Sequence, residues 1–241
     1  MALYRDQGVV LRTVKLGETD RIVTLFTQAH GKVRAVAKGV RRPGSRFGAA
    51  LEPLSHVAVQ CYEGRNLDVV TQAETVEVYR GLWDGYRAFT RAVPMLEAVD
   101  HLTQEREPDI PLYRMLTGAL RTLADSGSPV VAPAFFWKLL ALEGFHPMLD
   151  ACVHCGAEDG PFPRFDLADG GVCCEGCGSP AGTRLSPDTL HLMRRILGGD
   201  LRGALGEPDS PALDEVKRLG VANLEHHLER RMRSAPFLRA G

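Results

Sequence analysis

In the first third of the chain, apolar positions alternate with polar ones or run β-branched over short spans that stop at turn formers. Residues 8–15, 21–27, 32–38, 54–62 and 67–73 share this texture, and their Val, Ile, Thr and aromatic side chains suit a pleated, half-buried surface. They are separated by LGETD at 16–20, QAHG at 28–31 and EGRN at 63–66, where Gly, Asn and Asp supply turn conformations. Five strands in consecutive hairpins predict a small antiparallel barrel. Five strands within about 75 residues fit an OB-fold, a barrel whose faces and loops commonly take oligonucleotides.

After residue 77 the hydrophobic period lengthens to three and four. Residues 79–104, 111–126, 130–145, 186–198 and 211–234 read as helices, as in the spacing of Leu213, Val216, Val221, Leu224 and Leu228. Pro187 and Pro211 stand where a first helical turn tolerates a missing N–H, each preceded by a candidate capping serine, Ser186 and Ser210. The pattern predicts an OB-fold domain over 1–79 and an α-helical domain over 80–241, the latter carrying an insertion at 149–180. No internal repeat or low-complexity run interrupts either part.

That insertion holds five of the six cysteines. Cys152-Val-His-Cys155 and Cys174-Glu-Gly-Cys177 are two Cys-x-x-Cys knuckles, with Gly156 and Gly178 directly behind them where the backbone must turn tightly. Two such knuckles, about eighteen residues apart, suit tetrahedral Zn²⁺, which takes thiolates at about 2.3 Å. Cys173 would leave three intervening residues to Cys177 and defines the alternative register. Four cysteines close the coordination shell, so one structural ion is expected rather than a catalytic one, which would keep a position open for water. His154 and Glu175 lie inside the knuckles, where side chains usually face solvent. Phe162 and Phe165 are the candidate apolar filling of a segment too small to fold by itself. The remaining cysteine, Cys61, sits in an apolar run and reads as a small buried hydrophobe.

Charge changes the picture only when it is divided along the chain. The net charge is −1, yet residues 1–80 carry twelve Lys/Arg against eight Asp/Glu, and the remainder seventeen against twenty-two. Between residues 32 and 46 stand Lys32, Arg34, Lys38, Arg41, Arg42 and Arg46 with no acidic residue among them. A strand over 32–38 would put Lys32, Arg34 and Lys38 on one face, followed by Arg41, Arg42 and Arg46 on a loop held by Gly39, Pro43 and Gly44. Such a patch is the footprint expected for a polyanion, with these six side chains as candidate phosphate contacts. The barrel region offers only Tyr4, Phe26, Phe47, Tyr62 and Tyr79 as aromatics, so base stacking should be minor.

The run GETDRIVTLFT at 17–27, followed by Gly31, AKG at 37–39, Arg41-Arg42, SRF at 45–47 and LEP at 51–53, resembles the N-terminal signature of the RecO family of bacterial recombination mediators. The knuckles and the GGV approach at 170–172 resemble the same family. The resemblance covers essentially the whole chain. It implies a non-enzymatic DNA repair protein that binds single- and double-stranded DNA and anneals complementary strands. It further implies binding to RecR and to the C-terminal tail of single-strand-binding protein, and help in loading RecA on DNA covered by that protein.

Other function classes leave no mark. There is no GxxxxGK[ST], no GxGxxG after a strand and no GxSxG. Acidic pairs such as Glu105/Glu107 and Glu158/Asp159 have the spacing of ordinary surface charge rather than of a Mg²⁺ cluster. No apolar run reaches the roughly 18 residues that a membrane span needs, and a cytoplasmic, nucleoid-associated protein is expected. A pure adaptor acting through the helical part is the competing class. Arg194 and Arg195 beside Leu192, Met193 and Ile196 are its candidate surface for an acidic, apolar-ended peptide.

Overall fold

The structure, a computed structural model, describes residues 2–45, 47–177 and 182–238. The chain divides into two compact units, Met1–Asp125 and Ser126–Gly241. In the first, strands β1 (Leu3–Leu16), β2 (Asp20–Thr27), β3 (Gly31–Ala37), β4 (His56–Tyr62) and β5 (Asp68–Glu77) close a barrel in the order β1-β2-β3-β5-β4. β1 is longer than its apolar run because its polar first half also pairs. Leu3 to Val9 lie against β4, the later residues lie against β2, and a register shift between Val10 and Arg12 bends the strand between its two partners.

The expected run of consecutive hairpins holds for β1-β2-β3 and for β4-β5 but not between β3 and β4. β4 returns to pair with β1, and the barrel closes through a short parallel contact, Ala35↔Asp68 and Val36↔Val69. Five is an odd number, so strands around a closed ring cannot alternate in direction throughout, and one neighbouring pair must run parallel. The 3-10 turn Gly48–Leu51 supplies Leu51 to the barrel core, where with Phe47 it packs among Val10, Val23, Leu25, Ala35, Val57, Val59 and Val70. Cys61 is fully buried there, and burial raises its thiol to about 11, so it acts as an apolar side chain.

One polar group is buried at the closure. Asp68 is 1% exposed and accepts from the Tyr4 hydroxyl at 2.5 Å, from Arg106 Nη2 at 2.6 Å and from the Gly64 amide at 3.0 Å. Burial, and then this bond, raise the Tyr4 phenol. Asp68→Ala would strand the hydroxyl and the guanidinium. Because Arg106 is 40% exposed, its share is screened, and the expected loss is about 3 kcal/mol, read as a lower urea midpoint. An unchanged midpoint would show that the node does not hold the barrel closed.

The helix expected over 79–104 is two helices, α1 (Arg80–Trp83) and α2 (Tyr86–Leu102), parted at Gly85, whose extended backbone (φ −148°, ψ 129°) cannot continue a helix. After α2 the chain crosses β3: Arg106 N donates to Lys32 O, and Gly31, at φ +65°, has the Glu107 carbonyl where a Cβ would stand. α3 (Ile110–Ser126) completes the helices of this region.

The second unit holds α4 (Val131–Leu142), a three-stranded sheet of β6 (Arg164–Asp166), β7 (Gly171–Cys173) and β8 (Thr183–Arg184), then α5 (Pro187–Leu197), α6 (Leu201–Ala204) and α7 (Pro211–Leu228). Ser186 and Ser210 cap α5 and α7, accepting from the Thr189 and Leu213 amides, with Pro187 and Pro211 in the first turn as expected. α7 ends before 234 because Glu229 turns left-handed at φ 50°. Trp137 on α4 is the hub. Its indole donates to Val216 O on α7 at 3.2 Å, and its ring meets Phe165 of β6 edge-on at 5.7 Å. Among the described residues no helix is long and apolar enough to cross a membrane.

Candidate metal centre and nucleic-acid interface

Two short sheet segments bring the knuckles together. Val153 N donates to Val172 O and Val172 N to Met148 O, so the first knuckle lies along β7. Gly171 permits the approach, because a Cβ there would fall 2.3 Å from the Val153 side chain. The first knuckle closes through Gly156 N to Cys152 O, with Gly156 left-handed at φ +73°, and the second through Cys177 N to Cys174 O. The sulfurs of Cys152, Cys155, Cys174 and Cys177 then lie within 4.8 Å of one another. Cys155 Sγ and Cys174 Sγ are 3.8 Å apart, the edge of a tetrahedron of about 3.8 Å that four thiolates at about 2.3 Å from one ion would define.

Two of the thiols are pushed in opposite directions. The amides of Cys174 and Cys155 point at Cys152 and lower it to about 6, while hydrogen bonds with the Cys155 and Cys174 side chains raise Cys177. Four thiolates this close repel, so full ionisation calls for a cation among them. The donor set could hold a metal ion and fits Zn²⁺. Cys173 is not in this group. It is 1% exposed at the end of β7, paired across to Arg164. Its neighbours are His154, from inside the first knuckle, and Asp166, an assembly of three separated segments that spacing in the sequence does not reveal. Gly178 lies outside the described residues.

The basic segment divides in two. β3 alternates as expected, with Val33, Ala35 and Ala37 buried and Lys32 and Arg34 on the other face. That face, however, meets one acid on α2 and one just beyond it. Lys32 Nζ donates to Asp100 O at 2.6 Å and lies 3.6 Å from its carboxylate, and Arg34 Nη1 is 3.5 Å from Glu105 Oε1. Asp100 also holds Arg12 at 2.6 Å. Lys32 keeps 13% and Arg34 38% of its side-chain surface exposed.

Lys38, Arg41 and Arg42 are exposed on the following loop. This loop is braced by the β1–β2 turn. Gly39 N donates to Asp20 Oδ1 at 2.8 Å, Arg41 N to Thr19 O, and the Arg41 guanidinium to Glu18 O at 2.8 Å. The Gly39 amide and Thr19 hydroxyl hold the Asp20 carboxyl below its ordinary range, helped by Arg42 and Lys38. The local charge is thus three cations offset in part by Asp20. Arg46 lies outside the described residues. Of the barrel aromatics, Phe26, Phe47 and Tyr79 are buried, Tyr4 is half-buried and Tyr62 is 45% exposed. No row of exposed rings lines the described part of this loop.

Arg194 and Arg195 do not frame a peptide groove. Leu192, Met193 and Ile196 are buried, Arg194 is held by Leu149 O and Asp150, and Arg195 by Asp200 and Glu207. α5 is amphipathic, and its apolar face is spent on the core.

Two family models match the chain. The model of the N-terminal part of recombination protein O matches residues 1–79, and that of its C-terminal part matches residues 85–236.

Proposed function

Because the chain belongs to the recombination protein O family, we propose that it is a non-enzymatic recombination mediator of DNA repair, acting in the cytoplasm at the nucleoid. It binds single- and double-stranded DNA, anneals complementary strands and, with RecR, helps load RecA on DNA covered by single-strand-binding protein, whose C-terminal tail it engages. Residues 1–79 serve as the DNA-binding module, residues 80–241 as the helical part, and 149–180 as its zinc-bearing insertion. The observation that carries this reading is the exposed triad Lys38, Arg41 and Arg42 on the β3 loop of a closed five-stranded barrel. These side chains contact phosphates, as does Arg46, while Lys32 and Arg34 contribute the part of their charge that Asp100 and Glu105 leave. Holding backbones by charge without covering base faces leaves the bases able to pair, as annealing requires.

One zinc ion held by Cys152, Cys155, Cys174 and Cys177 orders the insertion and takes no part in chemistry. Native mass spectrometry of the purified chain should count one tightly held zinc, lost on Cys174→Ser and kept on Cys173→Ser. The opposite result would move the ligand register by one residue.

Fluorescence anisotropy with labelled single strands tests the DNA assignment against a pure adaptor. Salt-sensitive binding together with accelerated annealing of complementary oligonucleotides supports it. An absence of DNA binding combined with retention of RecR in a pull-down favours the adaptor.

A further inference from the structure

The thiol excluded from the four-cysteine centre is not isolated. Cys173 ends β7 and Cys174 follows it, and successive side chains of extended backbone project to opposite sides. One thiol therefore joins the knuckles while the other turns away toward His154 and Asp166. The sulfur, an imidazole nitrogen and a carboxylate oxygen of these three residues lie within 4.8 Å of one another. We propose that His154, Asp166 and Cys173 form a second, solvent-open site for a borderline divalent cation such as Zn²⁺, distinct from the four-cysteine centre.

The contacts around each donor leave one ligating atom pointing inward. Asp166 Oδ1 accepts from the Ala168 and Asp169 amides at 2.9 and 3.2 Å, which fixes the carboxylate, and Oδ2 faces His154 Nε2 at 3.7 Å. His154 Nδ1 faces the Asp169 carboxylate at 3.4 Å. A carboxylate on the far ring nitrogen is the arrangement that fixes the tautomer and orientation of a metal-binding imidazole. Asp169 is therefore a positioning residue, and Nε2 is the ligand. Cys173, almost fully buried, supplies the third donor from below.

Chemistry selects the cation. One thiolate, one imidazole and one carboxylate suit Zn²⁺ or Co²⁺ and disfavour Mg²⁺ and Ca²⁺, which take oxygen shells. His154 is 32% exposed, so a fourth position opens to water. Three ligands, one of them at the surface, hold an ion less firmly than four thiolates. The second cation should exchange readily and be lost on purification, while the first stays.

The site is independent of the DNA-binding proposal and is tested on the intact, zinc-loaded chain by Co²⁺ titration. Native mass spectrometry counts ions, and the sulfur-to-cobalt charge-transfer band reports thiolate ligation. One Co²⁺ per chain should bind beside the retained zinc, with the intensity of a single thiolate. Cys173→Ser should abolish the band. His154→Ala, at the surface, and Asp166→Asn, which keeps the shape of a half-buried side chain, should weaken Co²⁺ binding at least tenfold with the zinc retained, and Asp169→Asn should weaken it about tenfold. The proposal is overturned if no Co²⁺ adds beside the zinc, or if it adds equally to folded His154→Ala and Asp166→Asn. Because zinc and cobalt are counted separately by mass, loss of the first assignment is not mistaken for loss of the second.

Discussion

Cys155→Ser is expected to release the zinc and unfold the insertion while the barrel stays folded. The strands around the centre are three, three and two residues long, and their buried apolar side chains are chiefly Phe162, Phe165 and Val172. So small a filling does not offset the entropy of ordering a loop-rich segment, whereas structural zinc contributes about 10–16 kcal/mol in small zinc-dependent folds. Limited proteolysis should therefore cut the variant between residues 149 and 185 and leave residues 2–77 intact. Phe165 packs on Trp137, so tryptophan emission should shift as the insertion opens. A metal-free variant as resistant as the parent would mean that the hydrogen-bonded sheet, not the ion, holds the segment.

The strands were legible because each β-branched run is short and bounded by turn formers. The same reading missed the polar start of β1, where Arg5, Asp6 and Gln7 pair with β4 and Arg5 Nε also donates to Gln60 Oε1 at 2.7 Å. The capped starts of α5 and α7 were legible in Ser-Pro pairs, as was the end of α5 at Gly198, but the end of α7 was not, since Glu229 has no glycine to announce a left-handed turn. The clustering of Cys152, Cys155, Cys174 and Cys177 was legible in their spacing, because a Cys-x-x-Cys turn is a local device. What escaped was non-local. Asp100 and Glu105 reach Lys32 and Arg34 from 68 and 71 residues away, so a segment free of acids along the chain is not free of them in space. The grouping of His154, Asp166 and Cys173 escaped for the same reason.

That redistribution of charge sharpens the second large expected effect. With Lys32 and Arg34 engaged by acids, the phosphate contacts fall mainly to Lys38, Arg41 and Arg42, and about three to four contacts on single strands give a log–log salt slope of roughly −2 to −3, at about −0.7 per contact. Removing all three side chains should flatten the slope by about two and weaken poly-pyrimidine and mixed strands alike, since phosphate contacts carry no base information. The variant should stay folded, because exposed charges contribute little to stability, although loss of the Arg41 contact to Glu18 O will loosen the loop.

The measurement that tests the account most directly is the salt dependence of single-strand binding by the Lys38→Ala, Arg41→Ala, Arg42→Ala triple variant beside the parent chain. The account predicts a nearly flat salt dependence and a matching loss of annealing. A slope equal to that of the parent, or a loss that depends on base composition, would contradict it and place the DNA site away from the β3 loop.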